Sequence, residues 1–328
     1  MNSFRPVWLI IFSLILSGVA QVARAQSTQA FPVKPIRLVV PFPPGGPTDL
    51  YARILGQRMQ ESLGQPVVVE NRAGGTGLVG TRVVLSTPPD GYTLLFTSNS
   101  AHVVGPLAHD PRPFDSVRDF TPVSMVIRYP MYVVINPAVA ARNITEFISL
   151  VKSNPRKYSF SSVGTGSGTH LACELINLIA GTSMLHVPYK GAAPAQAAVM
   201  AGEVQMMCDS VGYSQALVDA GKLRGLAVTG ERRSVAVPGI PTLAEAGIPG
   251  VNTYTWLGLF GPAGLAREVV ATLNSEVVRI MGLQEVRDRV TKGGSDVIAG
   301  SPEHLAAEMR AETELWLRVI REKRIKAE

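Results

Sequence analysis

Ile36-Arg37-Leu38-Val39-Val40-Pro41 runs directly into Phe42-Pro43-Pro44-Gly45-Gly46-Pro47-Thr48-Asp49, and this junction decides the fold class. The first six residues are short, β-branched and almost wholly apolar, the pattern of a strand buried on both faces. From Asp49 to Leu63 the spacing becomes helical, with Leu50, Ile54 and Leu63 on one side and Gly64 placed to close the last turn. The loop between them has paired glycines that let backbone approach a ligand, and free amides at the start of a helix favour an anion there. Thr48 and Asp49 are candidates to cap that helix. A proline-stiffened turn without a ligand is the plainer reading of the same residues.

The alternation continues outward. Strands are expected at Val67 to Glu70 and Tyr92 to Thr97, around a helix at Val79 to Ser86. A second series follows, with strands at Tyr158 to Val163, Leu185 to Tyr189, Val204 to Cys208 and Leu223 to Thr229. Helices at Thr169 to Ala180, Ala192 to Ala201 and Tyr213 to Ala220 separate them. This order predicts an α/β protein with two doubly wound domains, whose ligands bind at the carboxyl ends of parallel strands. Two extended segments, Val123 to Asn136 and Asn252 to Phe260, interrupt the rhythm. If both cross between domains, residues 26–126 and 251–328 form the first domain and 127–250 the second, with a central cleft and a hinge. The last part, from Leu265 onward, reads as helices, the final one starting at Ser301-Pro302-Glu303.

The chain starts as an exported protein does. Arg5, an apolar run from Val7 to Ala20 and the small-x-small triplet Ala23-Arg24-Ala25 make a signal peptide, residues 1–25, cleaved after Ala25. Gln26 in place of cysteine disfavours a lipoprotein. Of 328 residues, 303 then remain, with 46% hydrophobic and 17% charged residues in the whole chain, a globular composition. The net charge is +6, or +4 without Arg5 and Arg24, and is scattered among acids. That excludes a nucleic-acid patch and mildly favours anionic small ligands. The five histidines and two cysteines lack the spacing of a metal site. A disulfide between Cys173 and Cys208 is chemically permitted in an oxidising compartment, but apolar surroundings favour two buried thiols.

Further loops join the first at strand ends. These are Ala73-Gly74-Gly75-Thr76-Gly77, Ser98-Asn99-Ser100 and Gly164-Thr165-Gly166-Ser167-Gly168-Thr169-His170. Several such loops are more specific than one. The candidate ligand contacts are Phe42, Gly45, Gly46, Thr48, Asp49, Gly75, Ser98, Asn99, Thr165, Gly166, Ser167, His170 and Asp209. Asp209 ends another strand, either as a carboxylate facing the cleft or as a helix cap. An enzymatic alternative is a secreted serine hydrolase using Ser167 or Ser214 with His170. Against it, Gly212-Tyr213-Ser214-Gln215-Ala216 lacks the final glycine of a nucleophile elbow. His170 so close to Ser167 at a helix start also suits a cap and a cleft or surface histidine. No cofactor is implied.

A series of motifs then points to a family. Pro44-Gly45-Gly46-x-x-Asp49, Val69-Glu70-Asn71-Arg72, Pro89-Asp90-Gly91-Tyr92-Thr93, Asp119-Phe120-x-Pro122-Val123 and Gly166-Ser167-x-x-His170-Leu171 occur in order. Val187-Pro188-Tyr189-Lys190-Gly191, Pro241-Thr242-x-x-Glu245-Ala246-Gly247 and Trp256-x-Gly258-Leu259-Phe260-x-Pro262 follow. Together they resemble the Bug family, the periplasmic receptors of tripartite tricarboxylate transporters, over essentially the whole mature chain. The resemblance implies a type II periplasmic binding fold that closes on a small carboxylated molecule. Gly45, Gly46 and Asp49 would hold a carboxylate, Thr165, Gly166 and Ser167 would supply the second domain's loop, and Asp209 its strand-end aspartate. It also implies a monomer that delivers its ligand to membrane transporter subunits or to a sensor protein. Where the family often has Gly-Ala-Gly-Gly-Asn, this chain has Gly74-Gly75-Thr76-Gly77-Leu78, which changes that loop's contacts.

Overall fold

The computed structural model describes residues 31–109 and 111–325, so the expected signal segment lies outside the described residues. In the N-terminal part, β1 (Ile36–Val40), β2 (Val67–Asn71) and β3 (Thr93–Ser98) alternate with α1 (Pro47–Leu63) and α2 (Leu78–Leu85). β1 lies between β2 and β3 and runs parallel to both. Ile36, Leu38, Val39 and Val40 are buried, as is every residue of β3, so the apolar runs do fill both faces of a sheet. On α1 the buried row is Ala52, Leu55 and Met59 with Tyr51, while Leu50, expected inside, is exposed. The small Ala52 and Gly56 decide this, because they let the helix lie close on β2. A Cβ at Gly56 would stand 3.2 Å from the Val69 side chain.

β4 (Phe120–Ile135) leads into a second series: α3 (Ile144–Ser153), β5 (Ser159–Ser162), α4 (Gly168–Ala180), β6 (Leu185–Pro188) and α5 (Ala192–Ala201). It closes with β7 (Met206–Ser210), α6 (Val211–Asp219) and β8 (Arg224–Val228). The chain then returns through β9 (Tyr254–Pro262) to α7 (Arg267–Gly282), α8 (Gln284–Lys292), β10 (Asp296–Val297) and α9 (Pro302–Lys323). Ser301 caps α9 as expected, its Oγ accepting from the His304 amide at 3.2 Å. The strand order is β2-β1-β3-β9-β4 in one sheet and β4-β7-β5-β6 in the other, with β8 also on β4.

β4 therefore belongs to both sheets. Up to Pro130 it pairs with β9, and from Met131 onward with β7 and β8. Proline lacks the N–H that would continue a ladder, so Pro130 is a natural place to change partners. Both crossing strands run antiparallel to their neighbours, making each sheet mixed rather than parallel throughout. A segment returning directly from the other lobe enters a sheet from the opposite end. Helix α9, expected with the first domain alone, packs across β4 and against α4 of the second lobe. Leu305, Met309, Trp316 and Val319 share one core with Phe160, Leu171 and Leu175.

One hydroxyl ties the three crossing segments together. Thr229, fully buried just after β8, accepts from the Met131 amide at 2.9 Å and donates to the Thr253 carbonyl at 2.6 Å. Its own carbonyl accepts from the Thr253 amide at 3.3 Å. Thr229→Val keeps the shape and orphans a buried donor and a buried acceptor, which costs about 2–4 kcal/mol. Urea unfolding should show that loss; a change below about 1 kcal/mol would mean that the hydroxyl pins nothing.

Candidate ligand-binding site

The PGG loop is built by its own backbone and braced from beneath. Gly45 has a φ of +89°, open to glycine, and Gly46 is the extended N-cap of α1 with Pro47 at the first helical position. A Cβ at either glycine would meet nothing within 4 Å, so open space lies in front of both. The first-turn amides of Thr48 and Asp49 have no acceptor within the helix. Asp49, expected to touch the ligand or cap the helix, holds the loop. Its carboxylate accepts from the Gly45 amide at 2.9 Å, from Asn71 Nδ2 at 2.9 Å and from Arg53 Nε at 3.0 Å. Burial opposes its ionisation, but the bonds from Arg53, Gly45 and Asn71 outweigh that and hold its pKa below the usual carboxylate value. Asn71, at the end of β2 and absent from the expected contacts, also donates to the half-buried Phe42's carbonyl at 3.1 Å. A polar residue closing an apolar strand was the available signal.

The opposing loop lies between β5 and α4. Ser167 caps α4, accepting from the His170 amide at 3.3 Å and donating to the Gly164 carbonyl at 2.6 Å. The Gly166 amide donates to His170 Nδ1 at 3.0 Å. Thr165 stands half-buried at the tip of this loop. Two hydrogen bonds join the two loop systems across the cleft. Tyr213 Oη, from the first turn of α6, donates to the Gly45 carbonyl at 2.9 Å, and the Gly168 amide donates to Ser100 Oγ at 2.7 Å. The PGG loop is thereby tied to α6, and the start of α4 to the residue that follows Asn99. Neither Tyr213 nor Ser100 was among the expected contacts. Both are single residues whose role depends on the other lobe's position.

The family description "Tripartite tricarboxylate transporter family receptor" matches residues 51–325. The chain belongs to that family of receptors. It is 40% identical over 319 residues to the UPF0065 protein in the tcbD-tcbE intergenic region of Pseudomonas sp. strain P51, covering 97% of this chain and 95% of that one. It is 34% identical to BugT of Bordetella pertussis, over 94% of this chain and 95% of the relative. An R. palustris protein solved with adipate superposes with a TM-score of 0.83 at 32% identity, over 91% of this chain and all of that one. MatC from Rhodopseudomonas palustris with bound malate gives 0.79 at 32%, over 88% and 100%. The architecture is the type II periplasmic binding fold.

Within this receptor, several expected contacts are occupied by the protein itself. Asn99 donates to the Tyr254 carbonyl at 2.9 Å and to Glu312 Oε1 at 2.8 Å, and accepts from the Ser100 amide at 2.9 Å. It faces α9 and β9. Burial pushes Glu312 up to about 8, which leaves a neutral acid as its partner. Ser98 and Thr48 are buried. Asp209 lies inside β7, where it accepts from Ser214 Oγ and Gln196 Nε2, both at 2.6 Å. Burial raises its pKa against those bonds. It neither caps α6, whose N-cap is Ser210, nor stands free. Gly75 is exposed in a short 3-10 turn, and the adjoining Thr76 is left-handed at φ +53°, a conformation that suits the family's glycine better.

The hydrolase geometry is not assembled at the expected residues. Ser167 donates to backbone and Ser214 to Asp209, and neither hydroxyl pairs with the His170 ring. His170 is buried and stacked on His186, ring centroids 3.7 Å apart, and His186 Nε2 shares a 2.6 Å hydrogen bond with Ser162 Oγ. Ser162 in turn accepts from the Gly164 amide at 3.1 Å. The two imidazoles thus hold the 164–168 loop from behind. Burial lowers both pKa values, with His186 adding to the shift at His170, to about 3 for His170 and about 4 for His186. Unfolded imidazoles titrate near 6.5, so on acidification the unfolded chain takes up protons first. The pair's contribution is complete above about pH 6.5 and is lost toward pH 4, at about 1.4 kcal/mol per pH unit for each ring. His186→Gln should therefore lose about 2 kcal/mol less stability than the parent between pH 7 and 5, read from urea midpoints. Parallel pH profiles would show that His186 is charged in the fold.

Proposed function

We propose that the protein is an exported receptor that closes on a small dicarboxylate between its two lobes. One observation carries this reading: the PGG loop before α1 is bonded to Tyr213 of α6, and the start of α4 to Ser100 beyond β3, so the loops of the two lobes meet at these points. The α1 end offers the first-turn amides of Thr48 and Asp49, and both ends offer the positive pole of a helix, a fitting cradle for carboxylate. Gly45, Gly46, Thr165, Gly166 and Ser167 would form the cradle, with Tyr213 and Ser100 closing it. Adipate and malate, named with two related structures, are both dicarboxylates. The residue charges nearby are already committed to braces, which suits capture and release rather than bond breaking. Cleavage after Ala25 would deliver the receptor to the periplasm. The closed face would then be read by transporter membrane subunits or by a sensor.

Calorimetry of ligand-stripped protein against mono-, di- and tricarboxylates of graded length tests the class. Saturable binding of one or more dicarboxylates is the expected result, and a folded protein that binds no carboxylate would sink the reading. Gly46→Val puts its Cβ where no protein atom lies within 4 Å, in the open space before the amides. It should cost about 10- to 100-fold in affinity, the worth of hydrogen bonds to a charged group, with little change in Tm. Tyr213→Phe removes one neutral bond that exists in the closed form, worth about 1 kcal/mol. Stopped-flow release should then be about fivefold faster with association nearly unchanged. Equal changes in both rates would place Tyr213 in the encounter instead.

A further inference from the structure

Cys173 and Cys208 sit where the two functional pieces of the second lobe meet. Cys173 is in α4, six residues beyond its N-cap Ser167, and Cys208 is in β7 beside Asp209. Both side chains are fully buried, and their sulfurs are 2.8 Å apart. That is closer than two non-bonded sulfurs rest in van der Waals contact, and about 0.8 Å beyond a disulfide bond length. Two separate buried thiols were expected; the packing instead brings them face to face, across 35 residues of chain.

We propose that Cys173 and Cys208 are a modification site, oxidised to a disulfide as the chain folds after export. The proposal rests on the export reading for its oxidising compartment. Each thiol gives up its proton, one sulfur–sulfur bond forms, and the two electrons reduce the disulfide of an exchange donor to two thiols. Timing follows from burial. In the finished fold no sulfur is open to a donor, and burial together with the neighbouring Cys208 pushes the Cys173 thiol up, so thiolate is scarce. Exchange therefore precedes final packing, and the bond is afterwards sheltered from reductants.

The consequence concerns the cleft. The disulfide fastens the helix that begins at Ser167 to the strand that leads through Asp209 to Tyr213. The loop, the strand-end brace and the closing phenol then move as one body.

The test is intact mass and thiol alkylation of receptor taken from the periplasm, acid-quenched and alkylated in denaturant without reductant. The expected result is a chain beginning at Gln26, about 2 Da lighter than the dithiol form, with no alkylation until reduction and then two labels. Reduction should lower Tm on the order of 5–10 °C, while Cys173→Ala/Cys208→Ala shows no response to reductant. Two labels before reduction on a processed chain would overturn the proposal while leaving export intact. An unprocessed chain would count against export instead, so refolding in a glutathione redox buffer supplies a readout independent of compartment. A pair that stays reduced there overturns the disulfide outright.

Discussion

The buried hydroxyl of Thr229 is the constraint on which the two-lobed arrangement depends. A strand can serve two sheets only if its hydrogen bonds change partners somewhere, and at that point backbone groups risk burial without partners. Pro130 removes one donor from the account, and Thr229 satisfies Met131 and Thr253 on either side of it. With β4, the end of β8 and the entry to β9 held by one side chain, the lobes share a fixed axis. Everything beyond that axis is free to be shaped by the loops.

Those loops are stabilised from behind by groups that sequence reading assigned to the ligand. Asp49 holds Gly45, Asn99 ties the end of β3 to β9 and α9, His170 holds Gly166, and Asp209 ties α5 to α6. Asp49, Asn99 and Asp209 each have two or more hydrogen-bond partners inside the protein, and His170 has the Gly166 amide and the stacked His186 ring. A buried polar group without partners is costly, so a side chain placed this deep is matched before any ligand arrives. At the start of α1 the Thr48 and Asp49 amides remain without acceptors in the helix. Asp49 and Asp209 flank Tyr213 closely enough to raise the pKa of its phenol, behind the desolvation that raises it first, which keeps it a proton donor to Gly45.

Much of this architecture was legible because its signals are local. The run IRLVV, the PGG turn, Gly64 at the end of α1 and Ser301 before α9 each specify their own conformation, and the structure keeps them. Strand–helix alternation and the two extended segments supplied the two-lobe frame, and the family motifs agreed with it. The roles of individual polar residues were less legible, because they depend on what the other lobe or a distant helix places opposite them. Asn99 looks like a strand-end contact until α9 arrives with Glu312, 213 residues later. Tyr213 and Ser100 carry no local motif at all, yet they make the bonds across the cleft. Leu50 was misplaced for a similar reason: hydrophobicity favoured its row, and the closeness allowed by Ala52 and Gly56 decided against it.

Loops held by internal braces give this fold a frame that needs no bound ligand to form. A ligand held by an opposing charge would pair strongly and would depend on salt and on its own charge state. The loops braced by Asp49 and by the stacked histidines are instead held by bonds internal to the protein, and their shape does not wait on a ligand. The loop tip at 74–78 has a backbone geometry of its own. Thr76 occupies a left-handed position beside Gly75 and Gly77, and Leu78 turns partly into the core where an asparagine often stands.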